Sequence, residues 1–126
     1  MEFKEGDIVR VSFMAKKPYI QNGKYQTEDE PSLRKQLAIV VAGHGLAQDE
    51  ESIEFVPAAD CFVPERKRDA RLLQLTDPYF RSGMAVNCGL VATSPKESVE
   101  KMKHSISSDN LSLINSSVKS FLSKDA

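Results

Sequence analysis

The feature that most constrains this chain is the run LAIVVA at residues 37–42, six apolar residues in succession bounded by Gly43 and Gly45. It is too short for a typical helix and contains three β-branched or strand-favouring positions in sequence. It therefore reads as a central strand covered on both faces. A strand of that kind needs a second strand layer or a helix on either side, which the rest of the chain must supply. The chain has 126 residues, enough for one domain and one modest core.

The neighbouring segments fit that demand. Residues 7–13, DIVRVSF, place Ile8, Val9, Val11 and Phe13 among polar Arg10 and Ser12, with Gly6 at the entry, and predict a first strand. Residues 53–56 predict a short strand stopping at Pro57. Residues 71–75 predict a further strand broken by Asp77-Pro78, and residues 84–92, MAVNCGLVA, a last barrel strand in which Gly89 marks a bulge or a close backbone approach. Residues 14–34 have no periodic pattern but contain Asn22-Gly23, a strong hairpin-turn signal; the segment is either a long loop or a small projecting hairpin. Ser94 followed by Pro95 and Glu97 has the form of a capping box and predicts a turn or two of helix over 95–103. Ser108 is placed to cap a final helix, about 108–123, whose Leu111, Ile114, Val118, Phe121 and Leu122 share one face, with Asn110, Ser112, Asn115 and Lys119 on the other. The expected class is mainly β with a C-terminal helix, an α+β domain built as a small half-open SH3-like barrel of about five strands.

Composition narrows function by exclusion. The formal net charge is −1, which argues against bulk electrostatic coating of nucleic acid and leaves room only for a local basic groove. Cys61 and Cys88 match neither a zinc spacing nor a redox CxxC and are expected to be buried, reduced thiols. His44 and His104 are far apart, so no metal site and no cofactor are expected. His44 reads as an exposed turn residue, with proton transfer as the sharper option. The N-terminus carries charges where a secretory leader needs an apolar run, and no segment approaches a membrane span. A cytoplasmic protein with no membrane contact is expected.

Read in order, several segments resemble the PemK/MazF-type toxins. KEGDIVRVSF resembles the family's opening strand, RKQLAIVVAG its second strand, SIEFVPAAD its third, and HSISSDNLSLINSSVKSFL its closing strand-to-helix segment. The resemblance implies the endoribonuclease of a toxin–antitoxin pair, a homodimer that cuts single-stranded RNA without metal by attack of a neighbouring 2′-hydroxyl. Its partners would be single-stranded RNA and an antitoxin protein. Such chemistry needs a base, an acid and a group that holds the phosphorane charge.

Carried across residue by residue, the family's strand-entry arginine falls on Lys35, or on Arg34 after a one-residue slip, and its partner proline is Gln36. A hydroxyl residue expected after the third strand meets only Ala58 to Asp60. The arginine and aspartate that some members carry on a late strand correspond to Asn87 and Gly89, which implies a catalytically weakened or inactive relative. The candidate catalytic residues are thus Arg34 and Lys35, as a phosphate clamp, and Asp60, as a general base. Each has an ordinary structural alternative: a solvated strand entry for the first two and a turn cap for the third. The candidate RNA contacts are Tyr19 and Tyr25, by base stacking, and the basic cluster Arg66, Lys67, Arg68 and Arg71, which also reads as a solvated charged loop. The alternative function is a non-enzymatic SH3-like module that binds a protein or peptide through the loop aromatics and barrel face.

Overall fold

The computed structural model describes residues 2–16, 18–43, 50–60, 72–75 and 84–124. Among them the chain is mainly antiparallel β with one C-terminal helix. The strands are β1 (Asp7–Ala15), β2 (Pro18–Gln21), β3 (Lys24–Thr27), β4 (Ser32–Val41), β5 (Ser52–Asp60), β6 (Leu72–Leu73), β7 (Met84–Asn87), β8 (Ala92–Pro95) and β9 (Glu100–Ser105). A 3₁₀ turn, Lys96–Ser98, joins β8 to β9, and helix α1 (Ser108–Lys124) closes the chain.

The main sheet runs β6-β7-β5-β4-β1-β9, with β8 also paired to β5. On one edge β5 meets β4; on the other it meets β8 over Ser52 to Phe55 and then β7 over Ala58 to Asp60. Within this sheet β8, β5, β4, β1 and β9 form a five-strand path whose two ends are consecutive in the chain. Both faces are buried where β1, β4 and β5 lie side by side. Val9, Val11, Ala38, Val40, Ile53 and Phe55 point to one side and pack with Val99 beyond the 3₁₀ turn. Ile8, Ile39, Val41, Val56 and Ala58 point to the other and pack with Ile114 and Val118 of α1. The LAIVVA run is therefore the middle of the molecule, and each of its fully buried aliphatic side chains contributes on the order of 1.5–3 kcal/mol.

Two turns fix the ends of β1. Gly6 has φ of +90°, where a side chain is strained; its N–H donates to the Val40 carbonyl at 2.9 Å and its own carbonyl accepts from Ile106 N–H at 2.9 Å. At the far end the open choice for residues 14–34 resolves as a hairpin. Strands β2 and β3 pair across Asn22 (φ 54°) and Gly23 (φ 74°), the doubly left-handed turn that matches strand twist.

Several expectations are corrected. There are nine strands among the described residues rather than five, and β4 begins at Ser32 rather than near residue 37, because β1 supplies partners for the mostly polar residues 32–36. Strand β5 continues through Pro57 instead of stopping there. Pro57 lies at the junction where β5 exchanges β8 for β7, so no ladder bond requires its missing N–H. Residues 84–92 form two strands with a turn at Cys88-Gly89, not one bulged strand. Ser94 is buried in β8 opposite Ile53 and caps nothing, and residues 100–105 form an edge strand against β1. Helical signals at 95–103 yield to that pairing, leaving only the 3₁₀ turn. The helix cap is Ser107, not Ser108: its Oγ accepts from Asn110 N–H at 3.2 Å. Asn110, expected on the polar face, is buried.

Candidate functional site

The most informative geometry lies where β4 and β5 part. Their pairing runs from Val41 opposite Glu54 to Ala38 opposite Pro57 and ends there. At the parting point the Gln36 Nε2 donates to the Ala58 carbonyl oxygen at 2.6 Å, so a side chain satisfies an acceptor that the ladder no longer reaches. Beyond it β1 and β4 continue as a two-stranded ribbon, paired as far as Ala15 opposite Ser32.

The orientation of β4's backbone follows from one bond. The Val40 carbonyl faces β1, where Gly6 N–H meets it. Successive residues of a strand alternate in direction, so residues 38, 36, 34 and 32 also turn their backbone groups to β1. Leu33, Lys35 and Leu37 turn theirs the other way; the Leu37 carbonyl still accepts from Ala58 N–H, the bond that closes the Ala38–Pro57 pair, and among the described residues no strand pairs with Leu33 or Lys35 on that side. The side chains of these three residues share one face. Leu33 is 70% exposed and stands opposite Met14, itself 61% exposed; Lys35 is exposed and stands opposite Ser12. The ribbon thus carries an adjoining apolar pair and a cation beside an open backbone edge.

The sequence-predicted residues distribute unevenly around this place. Arg34 and Lys35 lie in the ribbon part of β4, and Asp60 ends β5 opposite Met84. Counting on from Ala38 opposite Pro57, Lys35 falls level with Asp60 across the opening, so the three proposed catalytic positions flank one gap. Tyr19 and Tyr25 belong to the β2–β3 hairpin, opposite Gln26 and Ile20 respectively. Arg66, Lys67, Arg68 and Arg71, together with His44 and Cys61, lie outside the described residues. Asn87 and Gly89 form a closed local turn: Gly89 N–H donates to Asn87 Oδ1 at 3.0 Å and Leu90 N–H to the Asn87 carbonyl at 3.3 Å. The Asn87 side chain therefore does a structural job, the Asx-turn role common for this residue. His104 is in β9.

Three further groups were not singled out as sites by the sequence. Asp7 is fully buried, yet its carboxylate accepts from Lys4 N–H at 2.9 Å and Ser105 Oγ at 3.0 Å, and lies 3.5 Å from Lys101 Nζ. It ties the N-terminal turn to β9. A groove of about 620 Å³ runs between the lead-in Glu2 to Glu5, the end of β4 and the start of β5, with Glu54 and Lys96 in its lining. Cys88 is a buried free thiol; burial pushes its pKa up to about 11, against a smaller lowering by a hydrogen bond with Ser117.

Among the described residues no group of three or more His, Cys, Asp or Glu side chains is placed to hold a metal ion, and no helix is long and apolar enough to cross a membrane. Comparison with known protein families, with characterised proteins and with solved structures finds no match to this chain.

Proposed function

We propose that this chain is an SH3-like barrel of PemK/MazF-like build that works as a binding module for a protein or peptide, a catalytically weakened or inactive relative of the endoribonucleases it resembles. Support for the barrel comes from the path β8-β5-β4-β1-β9, its ends joined by a 3₁₀ turn, with a hairpin projecting between the first two strands of the path in chain order. The observation that carries the binding reading is the ribbon itself: an exposed Met14–Leu33 pair beside an open stretch of β4. Apolar side chains of this size, exposed side by side on a two-stranded ribbon, favour contact with another chain. The Asn87–Gly89 turn agrees with lost catalysis, because the two positions equated with the family's charged pair carry neither an ionisable side chain nor a free amide oxygen. Binding of peptide ligands that persists at high salt supports this reading, and binding that collapses steeply with salt counts against it, since phosphate contacts follow counterion release.

A second reading keeps the enzyme. It is favoured by the placement of Arg34, Lys35 and Asp60 on the two parting strands. In that reading a homodimer, held in check by an antitoxin, clamps single-stranded RNA with Arg34 and Lys35, stacks bases on Tyr19 and Tyr25, and uses Asp60 to take the 2′-hydroxyl proton. Cleavage of single-stranded RNA in the presence of a chelator, abolished by substituting Arg34 and Lys35 together by Ala, would establish it in place of the first.

A further inference from the structure

We infer that β4 and β5 form a two-state fork, open in this structure, and that Gln36 is the latch that holds it open; without its hydrogen bond β5 closes on β4 and covers the Lys35 backbone. The fork and its latch stand on geometry alone. Their use, control of the backbone edge beside Met14 and Leu33, rests on the binding-module reading.

The two strands are set to continue their ladder. Ala58 donates its N–H to the Leu37 carbonyl, so Ala58 and, by alternation, Asp60 direct their backbone groups toward β4, while Ala59 turns to β7 opposite Ala85. Leu37 and Lys35 direct theirs toward β5. Carried on from Ala38 opposite Pro57, the same register sets Leu37 against Ala58 and Lys35 against Asp60. Among the described residues neither Lys35 nor Asp60 has a strand partner on that side. The two positions carry opposite charges, which favours their pairing on adjacent strands.

One side chain stands in the way. The next rung needs Leu37 N–H on the Ala58 carbonyl, and that oxygen already accepts from Gln36 Nε2 at 2.6 Å. Pairing spreads from the last rung formed, so a side chain on the first free acceptor stops the ladder before Lys35 and Asp60 meet. Taking the donor away strands the carbonyl in the open fork, and Leu37 N–H is the backbone donor that the register brings to it. A bond that merely tied the strands together would have the opposite effect: its loss would loosen the fork and speed exchange of the amides around it.

Amide hydrogen exchange by NMR on Gln36→Leu, which keeps the volume and loses the donor, tests the latch against the wild-type chain. The expected result is exchange slowed roughly tenfold at Lys35, Leu37 and Asp60, with Arg34 and Ala38, which face β1, unchanged. Adding Lys35→Glu, which sets like charges across the fork, should restore fast exchange at Lys35 and Asp60. Gln36→Glu takes the place of Gln36→Leu if only that variant folds. Unchanged or faster exchange at the three amides, or slowing that survives Lys35→Glu, overturns the latch. Loss of folding in both Gln36 variants, read by circular dichroism, overturns it too, since a closed ladder that satisfies Ala58 leaves either variant able to fold. Slowing that grows with protein concentration overturns it in favour of a second copy on the edge. None of these results depends on a ligand, so failure of the binding-module reading leaves the latch standing, and failure of the latch leaves that reading to its own salt test.

Discussion

Replacing Asp7 by alanine should destabilise the protein far more than an ordinary surface substitution, and the structure gives the size of the effect. The carboxylate is fully buried and receives Lys4 N–H and Ser105 Oγ, with the Lys101 ammonium 3.5 Å away. A hydrogen bond to a charged group contributes about 1.5–3 kcal/mol. Ser105 is exposed and Lys101 is partly so, and both can turn to water once the carboxylate is gone. The loss of the Lys4 bond then remains in full, with a fraction of the other two, giving about 2–4 kcal/mol in all. With a urea dependence of about 1.5 kcal/mol per molar for a domain of this size, the midpoint should fall by about 1.3–2.7 M. Ser105→Ala alone should cost about 1 kcal/mol, and the double variant should cost less than the sum, because one contact is removed twice. Strict additivity, or a loss under about 1 kcal/mol for Asp7→Ala, would refute the picture of Asp7 as the clamp between the N-terminal turn and β9.

Other consequences are simpler to state. Gln36→Ala strands the Ala58 carbonyl and should cost about 1–3 kcal/mol in the same unfolding assay. Ile114→Ala empties a fully buried position under the sheet and should cost about 2–5 kcal/mol. The Cys88 thiol, raised from 9.0 to about 11, keeps its proton in the folded state after the unfolded chain has lost it. The unfolded state therefore binds fewer protons between those values, and stability falls as pH rises from 9 toward 11. Relative to Cys88→Ala, the wild-type chain should lose up to about 2 kcal/mol across that window, and native Cys88 should react only slowly with thiol reagents.

Much of the architecture is legible in the residues because single segments specify it. LAIVVA demands cover on both faces and has it; Asn22-Gly23 dictates a hairpin; Leu111, Ile114, Val118 and Phe121 mark the face that α1 lays on the sheet. What fails is whatever depends on a distant partner. The Ser94-to-Glu97 pattern is a sound local helix start, but β1 recruits residues 100–105 and pairing prevails over local preference. Pro57 reads as a stop until β5 is seen to change neighbours at that residue.

The candidate site is legible only in part for the same reason. Arg34 and Lys35 attract notice as cations at a strand entry, whereas Gln36 draws attention only as a missing proline, and its bond to Ala58 spans 22 positions in sequence. Met14 and Leu33 pass unnoticed, since neither sits in an apolar run. Their signal is the period-two series Leu33, Lys35, Leu37 set against Ser12 and Met14, which becomes readable once the β1–β4 register is known. Asp7 hides in the Gly-Asp pair at the head of β1, where it resembles a turn residue and is in fact a buried acceptor.

Amide hydrogen exchange followed by NMR on the uncomplexed chain tests most directly whether β4 offers a backbone edge. Exchange should alternate along the strand: fast at Leu33, Lys35 and Leu37, and slowed at Arg34, Gln36 and Ala38, whose N–H groups face β1. Equal protection at all six amides would mean that the edge is already occupied, and the proposed binding surface would not exist.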